Sequence, residues 1–372
     1  MKRENSTSQF IARLTPLGDV LALIEARAGP VVPHKCALPD GAGGILAGDV
    51  VVAERPPHAI ALRDGFALEA ASVVDATAYS PVPLASTLLR VDAGDPLPDG
   101  ADAVAQLDGI VVRGHTAEAI APVLPGEGVL PAGGDASFRV PLRRAGERLR
   151  ELDVPALGAV GVSEVTIRSP RIFVGCGSAR RTPIIDAALD ILIRAVAGAG
   201  GRASARFDGE FFDQSLGDAD AVIAVGGTGT GRSDQAVKAL ARHGQVDVHG
   251  IAISPGETAA FGFIGKLPVL LVPGRIDAAL AIWLLIGQHL IAKLAGGAVD
   301  DFAAMLPLKR KVSSVIGTTE LVPVACSAGT AEPLASGYLS LTALARSDGW
   351  IAVPPDREGF AAGTPVAVRR WP

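Results

Sequence analysis

Beyond Arg168 the chain alternates between short apolar runs and longer segments of helical period, and this alternation constrains the fold more than any other feature. The runs "RIFVG", "AVIAVGG" and "PVLLVPG" are apolar throughout, as strands buried on both faces are. The segments "PIIDAALDILIRAVAG", "QAVKALARH" and "DAALAIWLLIGQHLIAKLAG" supply the helices between and after them. Apolar strands linked through helices by short turns predict an α/β, doubly wound parallel sheet. Ligands of such sheets bind outside the carboxyl ends of the strands, so the turn after each apolar run is where a site belongs.

The rest of the 372 residues exceeds one ordinary core and divides by composition. Residues 1–40 with 136–166 read as an elongated, helical linker domain: Leu17, Val20, Leu21 and Ile24 share one face, and "VPLRRAGERLRELDVPALG" returns to a helical pattern. Within it, "LRRAGERLRE" reads as a solvated helix face with ion pairs. Residues 41–135 alternate β-rich runs with Gly and Pro turns and read as a mostly β insertion domain. The α/β domain takes 167–298, and alternating runs such as "TPVAVRRW" in 299–372 suggest a small C-terminal β-barrel-like domain.

A net charge of -5 and 4% aromatic residues exclude an electrostatic nucleic-acid binder. Cys36, Cys176 and Cys326 lie far apart and form neither a disulfide framework nor a CxxC pair, which points to a reducing, cytoplasmic setting. Glu4, Arg13 and Asp19 interrupt any signal core, and "AALAIWLLIG" falls short of a span before Gln288, His289 and Lys293, so no membrane role is expected.

The turn "GGTGTGRSD" follows the strand that ends at Gly226 and Gly227, and Ser233 and Asp234 read as the cap of a helix closed by Gly244. The N–H groups of Gly227, Gly229 and Gly231, the hydroxyls of Thr228 and Thr230 and the helix dipole at Ser233 all suit an anion, phosphate above others. Neither the Walker nor the GxGxxG spacing is present. A tight turn needing glycine for positive φ, with Ser233 only capping, accounts for the same residues. Asp234 either stabilises the first helical turn or, beside a phosphate, needs a bridging Mg²⁺.

Other conspicuous groups have plainer readings. His243 and His249 read as a helix-end cation and a loop polar residue, and Cys176 as a buried small hydrophobe. Asp92, Asp95, Asp99 and Asp102 read as turn formers. Asp64 in "LRDGFAL" belongs to an Asp-Gly hairpin signal.

"GGTGTGRSD", "HGQVDVHGIAISPGETAAFG" and "LPVLLVPG" together resemble the molybdopterin-binding domain of the MoeA/gephyrin-type molybdenum insertases. The likeness continues in "LRDGFAL", "VDAGDPLPDGADAV", "LPAGGDAS" and "SGYLSLTALARSDGWIAVPPDREGFAAGTPVAV", and so spans nearly the whole chain. The resemblance implies a four-part protomer, usually an elongated homodimer, whose linker domain serves dimerisation. It implies a Mg²⁺-dependent transferase that inserts molybdate into adenylylated molybdopterin, releases AMP and hands the product to other cofactor-biosynthesis proteins or acceptor molybdoenzymes.

On the same basis Gly226, Gly227, Thr228, Gly229, Thr230, Gly231 and Ser233 would hold the pterin, with Pro255, Gly256, Pro273 and Gly274 on adjoining loops. Asp234 and Asp64, the latter from the other subunit, would be catalytic, and Arg63 a phosphate contact.

The chain departs from this family where the chemistry is concentrated. Ser254 and Glu257 stand where lysines flank the family's Pro-Gly, "VGCGSARR" replaces an acidic turn, and Arg275 replaces an asparagine. Arg180, Arg181 and Arg275 offer replacement charge, and surface solvation explains them equally. Two readings therefore stay open: a working insertase with a rearranged cation set, or a catalytically degenerate relative that binds the pterin as carrier, store or regulator.

Overall fold

A computed structural model describes residues 11–84, 88–114, 116–178, 181–206, 216–231 and 234–372. They form two compact units, one of residues 1–48, 145–151 and 164–372, the other of 49–144 and 152–163.

The first unit is built on a six-stranded sheet in the order Arg202–Arg206, Arg171–Cys176, Ala221–Val225, Leu267–Val272, Ala260–Ile264, Gln245–His249. The first four strands are parallel and the last two antiparallel. Because side chains alternate across a strand, each strand feeds two cores. Ile172, Val174, Ile223 and Val225 pack on one face with Leu189, Leu192, Leu290 and Ile291, and Phe173, Val222 and Ala224 pack on the other with Val237 and Leu240. Helices thus cover both faces, as the all-apolar strands require.

The helix Pro183–Gly198 starts with proline in its first turn and Thr182 as cap, whose hydroxyl accepts the Ile185 N–H. The helix after the glycine turn begins only at Ala236, and Gln235 caps it without a side-chain bond. The cap expected from Ser233 and Asp234 is therefore corrected: Asp234 bonds within the turn, and Ser233 lies outside the described residues. The third segment runs as Ile276–Ile282, a π-helical turn Trp283–Gly287, and Gln288–Ala295. Its 20 residues are long and apolar enough to cross a membrane, but 78% of the most apolar window is buried inside the protein.

The N-terminal helix is Leu17–Arg27, whose Val20 and Ile24 join the apolar core of the six-stranded sheet, and His34–Ala37, Glu164–Arg168 and Ile45–Leu46 form a separate three-stranded sheet. The helical pattern read in 140–152 is a second correction: this stretch is irregular, and only Asp153–Ala159 is helix. Gly146 sits at φ +82 in a turn there, so the Arg and Glu spacing has no helix to ride on.

The C-terminal strands run in the order Ile253–Ser254, Thr319–Ser327, Gly349–Val353, Pro365–Arg370, Ala303–Pro307, a path whose described pairings do not close into a ring. Its first strand is lent by the α/β domain and pairs parallel with Thr319 and Glu320, which ties the two together.

The second unit carries two three-stranded antiparallel sheets and a two-stranded one among its described residues, and Gly65–Leu68 is the centre of one of the former, between Leu89–Val91 and Ala103–Gln106. Arg63 donates from Nε and Nη2 to the Val104 carbonyl at 3.0 and 2.7 Å and from Nη2 to Glu127 at 2.8 Å.

Leu189 is fully buried on the helix that carries half-exposed Ile184 (51%). Leu189→Ala is expected to lower stability by about 2–5 kcal/mol and Ile184→Ala by no more than about 0.5 kcal/mol in denaturant unfolding.

Candidate functional site

Three strand ends meet at the carboxyl edge of the six-stranded sheet, and their backbones touch. The Gly226 N–H donates to the Val272 carbonyl at 2.7 Å, and the Gly177 N–H to the Val225 carbonyl at 2.8 Å. Gly226 and Gly227 hold φ of +89 and +73, and a Cβ on Gly227 would lie 2.4 Å from the Gly177 oxygen. Only glycine meets both demands. A Cβ on Gly274 would lie 3.4 Å from the Gly226 Cα, so the Pro273-Gly274 turn is the immediate neighbour.

Gly229 and Gly231 sit in a different setting. Neither has a positive φ, but a Cβ on either would come within 2.7 or 2.8 Å of the Asp234 carboxylate. That carboxylate folds back over the turn, and its Oδ2 accepts the Gly231 N–H at 2.8 Å. One carboxylate oxygen thus rests against this backbone. Asp234 Oδ1 makes no hydrogen bond among the described residues.

Thr228 is 2% exposed, and its hydroxyl lies 3.0 Å from that of Thr258. This corrects the expectation that Thr228 turns its hydroxyl to a ligand; Thr230 is the exposed threonine. His249, at the end of strand Gln245–His249, places Nε2 3.0 Å from the Thr228 carbonyl, which accepts, so the ring hydrogen sits on Nε2. His249 and Thr258 therefore hold the first half of the turn from below. Sequence reasoning missed this role, since the only hint was a polar residue ending an otherwise apolar edge.

Two further turns border the site. Ser254-Pro255-Gly256-Glu257 follows the strand end, with a cis peptide before Pro255 and Gly256 at φ +136. The Glu257 carboxylate accepts its neighbour's Gly256 N–H at 3.1 Å. Beyond Pro273-Gly274, Arg275 docks its Nε on Asp277 Oδ1 at 3.0 Å and its Nη2 on Asp277 Oδ2. Asp277 is 3% exposed and also accepts the Leu339 N–H at 3.1 Å. The Asp277 bond, and with it the nearby charge of Glu257, holds the Arg275 guanidinium above its usual range against the opposing effect of burial.

Gly226, Gly227, Thr228, Gly229, Thr230, Gly231, Asp234, Pro255, Gly256, Pro273 and Gly274 thus belong to one edge of one unit. Arg181 pairs with Asp186, while Arg180 and Ser233 lie outside the described residues. Asp64 belongs to the second unit, is exposed, and accepts the Ala93 N–H at 2.8 Å on Oδ1. Among the described residues no three His, Cys, Asp or Glu side chains gather to hold a metal.

Fold and site together define a multidomain α/β protein with a glycine-rich turn at the carboxyl edge of its sheet. Family models place it further. "MoeA N-terminal region (domain I and II)" matches residues 15–161, "Probable molybdopterin binding domain" 189–293, and "MoeA C-terminal region (domain IV)" 305–371. With these three in sequence along it, the chain belongs to the MoeA family.

Molybdopterin molybdenumtransferase 1 of Mycobacterium tuberculosis is 27% identical over 327 residues, 73% of this chain and 76% of that protein. A molybdopterin biosynthesis protein of Methanocaldococcus jannaschii is 30% identical over 154 residues, 41% of this chain and 37% of that one. A crystal structure of the molybdopterin biosynthesis MoeA protein of Pyrococcus horikoshii superimposes with a TM-score of 0.78 at 22% identity, covering 96% of this chain and 100% of that one.

Gly227→Ala is expected to cost about 1–3 kcal/mol, from positive φ and the clash with Gly177. Gly265→Ala, at φ +61 with nothing within 4 Å, meets only the first of these. Thermal unfolding of both variants checks the difference, and equal losses would show that the Gly177 contact is unimportant.

Proposed function

We propose that this chain binds adenylylated molybdopterin at the Gly226–Gly231 turn and inserts molybdate into it with release of AMP. The observation that carries the reading is the Asp234 carboxylate resting on the glycine backbone at 2.8 Å, a position that suits the oxygen of a phosphate equally well. The family match across the α/β domain supports a pterin ligand. Gly226, Gly227, Gly229 and Gly231 shape the phosphate cradle, Thr230 lines it, and the Pro255-Gly256 and Pro273-Gly274 turns wall it.

Asp234 fits the demand of Mg²⁺, which takes one or two carboxylates together with substrate phosphates and water rather than an all-protein cage. Its Oδ1 carries no other bond among the described residues, so that atom would hold the ion. Magnesium bound at Asp234 would supply positive charge to offset that on the phosphate leaving with AMP. Asp234 positions the phosphoanhydride, His249 keeps the turn in shape through the Thr228 carbonyl, and cationic groups hold the molybdate while the dithiolene displaces its oxygens. Asp64 of a second copy completing the cleft, in a cytoplasmic homodimer, is part of this proposal.

AMP release from adenylylated molybdopterin, followed with Mg²⁺ and molybdate present, tests the reading. The wild type is expected to release AMP, and Asp234→Asn to do so at least about tenfold more slowly while still binding the pterin. Tight pterin binding without AMP release from the wild type would instead establish a carrier.

A further inference from the structure

Arg275 is prepared for a ligand in a way that an ordinary surface arginine is not. One edge of its guanidinium, Nε and Nη2, is fixed on Asp277, which is 3% exposed and anchored in turn by the Leu339 N–H. One face lies over the Tyr338 ring at 4.7 Å from its centroid. Tyr338 is itself held in place from both sides: Ser336 Oγ and the Gly337 N–H bond the buried Glu320 at 2.7 and 2.8 Å, and Leu339 follows on Asp277.

The guanidinium is therefore hydrogen-bonded along one edge and stacked on one face. Yet the side chain remains 55% exposed, and Nη1 makes no hydrogen bond among the described residues. The open edge carries hydrogens from both Nη atoms in the fork that matches two oxygens of a tetrahedral anion. Arg275 belongs to the turn that touches Gly226, with the Glu257 carboxylate near enough to act on it electrostatically. Lysines would hold such an anion as mobile point charges, and the Ser254 and Glu257 positions supply none.

We propose that Arg275, braced by Asp277 and Tyr338, is the group in this chain that binds the tetrahedral dianion, taking molybdate on its open Nη edge. The inference rests on the reading of the site as one that joins molybdate to a pterin phosphate. The same fork chemistry also suits the pterin's own phosphate ester, so the test separates the two anions. Asp277 and Tyr338 are positioning residues, and Arg275 alone touches the ligand.

Isothermal titration of the purified full-length chain with molybdate alone, and separately with molybdopterin, makes the test, with unfolding midpoints confirming that each variant is folded. Arg275→Gln is expected to weaken molybdate binding at least about tenfold and to leave molybdopterin binding within about twofold. Arg275→Lys, which keeps the charge but loses the fork, is expected to recover only part of the molybdate affinity. Tyr338→Leu, far enough from the anion to leave the charge in place, is expected to weaken it about threefold through loss of the brace.

Equal molybdate affinity in the wild type and Arg275→Gln, full recovery by lysine, or no molybdate binding by the wild type would each overturn the proposal. Loss of molybdopterin binding in Arg275→Gln with molybdate binding intact would overturn it too, by giving Arg275 to the ester phosphate. A wild type that binds molybdate but not molybdopterin contradicts the pterin reading of the glycine turn and leaves the role of Arg275 standing.

Discussion

The close approach of backbones at the carboxyl edge of the sheet governs the rest of the α/β domain. Gly227 can meet the Gly177 carbonyl only because neither residue has a side chain to separate them, and Gly226 can bond Val272 only at the same price in φ. With those contacts made, three consecutive strand ends open into one shallow edge. The apolar strands behind it, buried on both faces, hold the edge rigid, and the turns it carries are short enough to inherit that rigidity.

Onto this edge the chain places charge of both signs in fixed positions. Asp234 lies back over the glycine backbone, Glu257 over its own turn, and Arg275 on Asp277. Each of these charged groups already has a hydrogen-bond partner, which reduces the ordering left to be done when an anionic ligand arrives. The C-terminal strands matter to this arrangement as well. The loop Ser336–Leu339 comes to the site because Glu320 and Asp277, both buried, accept its hydroxyl and amides. A buried carboxylate that is satisfied by fixed donors orients its surroundings as firmly as an apolar core does.

Much of this was legible in the residues. Apolar strands alternating with segments of helical period gave the doubly wound sheet, and the paired glycines after "AVIAV" gave the positive φ values at Gly226 and Gly227. What the residues hid is long-range. The Asp234 carboxylate returns over Gly229 and Gly231 instead of capping the next helix, and such a return is not written in local propensity. His249 acts on a carbonyl 21 residues away, and a backbone partner leaves no mark in a sequence. The arginines and glutamates of 143–151 keep helical spacing, yet Gly146 turns the chain there, so charge pattern outweighed a single glycine in the reading and should not have.

The central claim is that the glycine turn takes the pterin phosphate. A crystal structure of this protein grown with molybdopterin tests it most directly. The account predicts the phosphate within hydrogen-bond distance of the Gly226–Gly231 backbone, with Asp234 displaced from Gly231 or bridged to the phosphate through a metal ion. Pterin density elsewhere, with Asp234 still seated on Gly231, would contradict it.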